Sequence, residues 1–189
     1  MSDPSSYLLE LGTVLQQTEA TLAERKSVPL TAGLEAAVQI VAAQTRAGRK
    51  VIFIGNGGSA AIASHQAVDY WKNGGMRAIA FNDSSLLTCI SNDYGYQHVF
   101  EKPIEMFAED GDVLLAISSS GRSENILRGC KSGQAKGCRL ITFSGFSPDN
   151  SLRTMGIVNF YVPSHSYGYV EITHLALSHC IVDTIIHRS

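Results

Sequence analysis

Short apolar runs alternating with helix-length segments constrain the fold of this chain more than any other feature. The run at 50–55, Lys-Val-Ile-Phe-Ile-Gly, is almost unbroken by polar residues, as expected for a strand buried on both faces. Similar runs recur at 77–82, 112–117, 139–143 and 157–162. Between and after them lie stretches suited to helices: 59–73, 84–91 with 98–107, 123–136 and 170–187. Strands that alternate with helices predict parallel pairing with helices on both faces. The expected class is therefore α/β, a three-layer αβα arrangement around a five-stranded parallel sheet.

Ahead of the first run, Tyr7, Leu8, Leu11, Val14, Leu15 and Leu22 recur at helical spacing across 5–25. Pro29 interrupts this pattern, and a second amphipathic stretch covers 31–47. Residues 1–48 thus read as an N-terminal helical hairpin and 49–189 as a doubly wound core, together one domain.

A chain of 189 residues with 44% apolar content buries a sizeable core without staples. Its formal charge of −2 offers no basic footprint for nucleic acid. Cys89, Cys130, Cys138 and Cys180 fall at irregular spacings without a CxxC pair, the pattern of reduced thiols. The start MSDPSSYLLELG lacks a basic segment followed by an apolar one, and no apolar run is long enough to span a bilayer. The expected setting is the cytoplasm, away from membranes.

In a doubly wound sheet, ligands collect at the carboxyl ends of the strands. Two glycine- and serine-rich loops are predicted there. Asn56, Gly57, Gly58 and Ser59 follow the first strand and open a helix. Ser118, Ser119, Ser120, Gly121, Arg122 and Ser123 follow the third. Glycines let the backbone approach a ligand closely, and helix-start amides favour an anion. Serine hydroxyls add an uncharged grip. Neither loop matches GxGxxG or the lysine-bearing P-loop, which argues against dinucleotides and nucleoside triphosphates.

A second set of residues could hold a metal ion or move protons. His65 and Asp69 stand four apart on the helix that the first loop opens, so they share a face. Glu171, His174 and His179 lie on the last helix. Eight residues bring His179 back to within about 80° of Glu171, while His174 and His179 diverge by about 140°. Spacing alone does not choose between the two histidines. If the helices converge, imidazoles and carboxylates suit zinc or another divalent metal and offer acid and base groups near neutral pH.

The segments GNGGSAAIASHQAVD, SNDYGYQHVF, GDVLLAISSSGRSENIL and VPSHSYGYVEITHLALSH resemble the sugar-isomerase (SIS) domain of bacterial phosphoheptose isomerases. The resemblance runs from about residue 49 to the C-terminus. It implies a flavodoxin-like SIS fold and conversion of sedoheptulose 7-phosphate to glycero-manno-heptose 7-phosphate through an enediol(ate), a step of heptose nucleotide and lipopolysaccharide synthesis. It also implies a metal set at His65, Asp69, Glu171 and His179, with Asp69, Glu171 and His179 in catalysis. Substrate contacts would fall on Asn56, Gly57, Gly58, Ser59, Asp93, Ser118, Ser119, Ser120 and Ser123. Relatives are homotetramers with shared sites. A non-catalytic relative binds the replication initiator, a role the retained histidine/carboxylate set argues against here. A regulator that senses a sugar phosphate is the other alternative, and it would bind the ligand without isomerising it. The family's glutamate is Asp69 and its glutamine is Glu171. Asn73 stands where an arginine is common, and the segment before Glu171 is one residue shorter and lacks an Asp-Arg step.

Overall fold

A computed structural model describes residues 3–188. Five parallel strands form its centre: β3 (Val51–Gly55), β4 (Ala78–Ala80), β5 (Val113–Ser118), β6 (Arg139–Ser144) and β7 (Val158–Tyr161). Their order, β7-β6-β5-β3-β4, is that of a doubly wound sheet whose direction of travel reverses between β3 and β5. Each run expected as a strand is one. Helices α2 (Leu30–Arg46), α3 (Gly58–Lys72), α4 (Ser84–Tyr94), α5 (Glu101–Phe107), α6 (Glu124–Ala135) and α7 (Tyr167–His187) lie near their expected positions.

The alternation of strand side chains divides the core in two. Phe53, Val113, Leu115, Ile117, Ile141, Phe143 and Phe160 face one way, against Val38 and Val41 of α2, Ala63 and Tyr70 of α3, and Leu177 and Ile181 of α7. Ile52, Ile54, Leu114, Ala116 and Leu140 face the other way, against Ile104 of α5 and Ile126 and Cys130 of α6. Strands buried on both faces explain the unbroken apolar runs.

The N-terminal region departs from expectation. Helix α1 (Pro4–Gln16) stops short, and β1 (Glu19–Leu22) and β2 (Ser27–Val28) follow it. Strand β1 pairs antiparallel with β7, and β2 pairs antiparallel with β1, giving a sheet of seven strands instead of five. The periodic Leu22 that suggested a longer helix packs on the core from a strand instead. The outer backbone groups of β7 need partners, and pairing with Glu19–Leu22 supplies them. Ala20 is buried there beneath Gly33 of α2, where a β-carbon would lie 2.5 Å from the Ala20 β-carbon. Two strands therefore separate α1 from α2. Helix α1 packs on the start of α7 through Tyr7, whose ring centroid is 4.7 Å from that of Tyr169.

All four cysteines are free thiols, with Cys130 and Cys138 buried. Among the described residues no helix is long and apolar enough to cross a membrane.

Candidate active site

The loops after β3 and β5 meet. Asn56, Gly57, Gly58 and Ser59 from the first, with Ser118, Ser119, Ser120 and Ser123 from the second, line one cavity of about 230 Å³. Tyr167 and Glu171 from the start of α7 complete it. Neighbouring parallel strands β3 and β5 end level, with Gly55 opposite Ile117, so their loops emerge side by side.

Backbone geometry equips this cavity for an anion. Gly57 caps α3 at φ +55, a conformation open to glycine, and no side chain caps that helix start. Ser123 precedes α6 and its hydroxyl makes no capping bond either. By contrast, Asp3 caps α1 and Asp83 caps α4. Apart from the Ala60 and Ala61 amides, which donate to the Gly57 carbonyl, and the Ile126 amide, which donates to Asn125 Oδ1, first-turn amides of α3 and α6 are available to a ligand at the positive ends of two helix dipoles. Ser118 Oγ accepts the Gly121 amide at 3.2 Å and lies 3.5 Å from Ser123 Oγ, which holds the second loop in shape. The Ser119 hydroxyl is buried without a hydrogen-bond partner, an unmet need that a bound oxyanion satisfies.

Among the described residues that line the cavity none is basic, and Glu171 is the one charged side chain. Its carboxylate lies directly over Gly58, where an added β-carbon would fall 2.4 Å from Glu171 Oε2. Helices α3 and α7 thus start close together at the cavity.

Further along the same pair of helices, His65, Asp69 and His179 form a cluster whose ligating atoms all lie within 4.8 Å of one another. His65 Nε2 is 3.2 Å and His179 Nδ1 3.7 Å from Asp69 Oδ2, and the imidazoles meet edge to face at 5.3 Å. Ligands at zinc distances span about 3.4 Å along a tetrahedron's edge. Two of the observed separations bracket that value, so the donor set fits three corners of such a site.

Glu171 is not in that cluster, so three of the four expected metal-binding side chains meet and the fourth does not. The eight residues from Glu171 to His179 correspond to about 12 Å of helix rise, and a similar angle around a helix does not bring side chains to the same height. His174 is fully buried, with Nε2 3.1 Å from the Ser144 carbonyl oxygen. Burial pushes its pKa down to about 4, which keeps it neutral and leaves His179 as the histidine that reaches the cluster. Asp93 stands exposed near the end of α4, 3.6 Å from Cys89 Sγ, and is not among the residues lining the cavity. Tyr167 is a cavity residue that the sequence reading missed. Its ring, T-shaped against Phe146 at 4.8 Å, starts the last helix, and its one sequence signal was an aromatic residue just ahead of Glu171.

A doubly wound sheet with two anion-ready loops at its carboxyl edge and a ligand-bearing helix pair beside them defines a SIS-domain protein. The SIS domain family model matches residues 15–145. The phosphoheptose isomerase of Edwardsiella ictaluri is 35% identical over 93% of this chain and 92% of its own length. Among solved structures, phosphoheptose isomerase GmhA from Neisseria gonorrhoeae superposes with a TM-score of 0.82 at 30% identity, covering 96% of each chain. A phosphoheptose isomerase from Francisella tularensis shares the fold with a TM-score of 0.84 at 24% identity, covering 98% of this chain and 96% of its own. The chain belongs to the phosphoheptose isomerase family of SIS-domain proteins and is an isomerase.

Proposed function

We propose that the protein is a metal-assisted aldose–ketose isomerase that converts sedoheptulose 7-phosphate to D-glycero-D-manno-heptose 7-phosphate for heptose nucleotide synthesis. The observation that carries this reading is the convergence of both serine loops and Glu171 on one cavity, with the His65–Asp69–His179 cluster further along the same helices. The phosphate is held by the free amides at the starts of α3 and α6 and by the hydroxyls of Ser59, Ser119, Ser120 and Ser123. Binding energy spent on that remote group orients the carbonyl end of the sugar.

Isomerisation moves one proton between adjacent carbons and another between their oxygens. A carboxylate takes the proton from the carbon beside the carbonyl, leaving an enediol(ate), and returns it to the neighbouring carbon. Glu171 suits that task better than Asp69, because it lies in the cavity and outside the cluster. His179, further along α7 beside Asp69, is assigned to the cluster and not to proton exchange at the same carbon pair. His65, Asp69 and His179 would hold zinc or a similar divalent ion, which when bound supplies Lewis-acid polarisation of an oxygen. The working form is proposed to be a homotetramer in the cytoplasm.

The test is turnover. Purified protein with zinc is incubated with sedoheptulose 7-phosphate and the aldose product is followed in a coupled assay. Product formation is expected in the wild type, with losses of at least a hundredfold in Glu171→Gln and His179→Ala. Zinc is also expected to raise the melting temperature of the wild type and to leave His179→Ala unmoved. Folded, metal-loaded protein that binds the sugar phosphate without turning it over rejects the isomerase and leaves a sensor.

A further inference from the structure

The side chain of Asn56 enters the cavity from β3's loop, and a short chain of hydrogen bonds decides which of its two faces a ligand meets. It starts at a group whose polarity is fixed. The backbone amide of Ile126 donates to Asn125 Oδ1 at 2.9 Å. An amide N–H has no choice of role, so the other atom of that carboxamide is the Asn125 amino group. Asn125 Nδ2 donates to Asn56 Oδ1 at 2.9 Å, and Asn56 Nδ2 donates back to Asn125 Oδ1 at 2.9 Å. The Tyr96 hydroxyl, from the turn after α4, donates to the same Asn56 Oδ1 at 3.0 Å.

Two donors therefore fill both lone pairs of Asn56 Oδ1, while one of the two Asn56 N–H groups is spent on Asn125. What remains for a ligand is a single N–H. Asn125 is buried and is not among the residues lining the cavity, so it acts through Asn56. Its place in the first turn of α6 ties this arrangement to the same helix start that the second serine loop opens.

We infer that Asn125 is a positioning residue, seconded by Tyr96, which locks the Asn56 carboxamide so that it offers the cavity a hydrogen-bond donor and never an acceptor. The ligand atom it selects is an oxygen with a free lone pair, on the phosphate or on the sugar chain. The inference rests on the reading of this cavity as the substrate site and names one determinant of what that site accepts. An amide able to flip would present its carbonyl oxygen half of the time and repel the same atom.

The test separates positioning from simple structural support. Asn125→Asp keeps an acceptor for the Ile126 amide and loses the donor to Asn56. Turnover of sedoheptulose 7-phosphate should fall at least tenfold in kcat/KM, yet less than twofold when the change is made in an Asn56→Ala background. In the ligand-free protein, the Asn56 side-chain amide protons, assigned by their loss in Asn56→Ala, should exchange with solvent at least tenfold faster in Asn125→Asp. Equal losses in both backgrounds, or unchanged exchange, would overturn the inference. If the wild type does not turn the sugar over, the isomerase reading fails and the exchange measurement alone decides this one. Should Asn125→Asp fail to fold, Tyr96→Phe removes the second donor from outside the helix. Its expected threefold loss, or faster Asn56 exchange if there is no turnover, should vanish in Asn56→Ala; an additive loss or unmoved exchange refutes the lock.

Discussion

At the scale of single residues, the cavity sets two oxygen-bearing side chains against each other. Ser119 offers a buried hydroxyl to an anion, and Glu171 brings a like charge into the same space. At about 6 Å in water two unit charges repel by about 0.7 kcal/mol, so Glu171→Gln should tighten inorganic phosphate roughly threefold in calorimetry even as turnover falls. Ser119→Ala should weaken phosphate by about tenfold or more, because a hydrogen bond to a charged group is lost. His174 carries a different prediction. Its folded pKa of about 4 lies below the ordinary 6.5, so the unfolded chain binds the extra proton as pH falls through that window. Its contribution is intact above pH 6.5 and is lost toward pH 4, on the order of 2–3 kcal/mol. In urea melts across that range, His174→Gln should flatten the slope relative to the wild type. Sequence showed the chemistry of these residues without their neighbours. It named both serine loops, but the burial that separates His174 from His179 depends on Phe143 and Ser144 of a distant strand.

At the scale of elements, what was legible followed from local periodicity, and what was not followed from pairing over distance. All five core strands announced themselves through apolar runs; β3, β5, β6 and β7 are buried almost throughout, while β4 at the margin is only partly buried. The β1–β2 hairpin did not, because Leu22 suits a helical stripe as well as a strand, and its partner β7 lies more than 130 residues further along the chain. Helices α3 and α7 illustrate the same limit. Their contents were readable, while their relative height, which puts Glu171 over Gly58 and His179 beside Asp69, was set only by packing. One ion pair anchors the opposite end of the sheet. Asp112 is fully buried, accepts the Lys50 amide at 2.9 Å and the Glu109 amide at 2.8 Å, and holds Lys50 Nζ at 2.6 Å. Asp112→Ala strands two amides and leaves Lys50 only the exposed Glu109 carboxylate at 3.6 Å, and should cost about 3 kcal/mol in chemical denaturation.

At the scale of the whole molecule, the surface retains apolar side chains that the fold does not use. Val68 and Trp71 on α3 and Ile172 on α7 are exposed, with Trp71 at 54%, on helices that pack together. In the proposed tetramer such a surface is covered. Trp71→Glu should therefore shift the protein to smaller species in sedimentation at micromolar concentration while its circular dichroism stays unchanged. The outermost strands bear on how such an assembly is built. At one margin of the sheet stands Ser27–Val28, two residues long, and at the other Ala78–Ala80, three residues long. Neither gives a foreign strand enough backbone to dock on, so the sheet is no template for chain-to-chain growth into fibrils. In the proposed homotetramer, contacts between copies would then fall to helices such as α3 and α7, in an association that closes on itself.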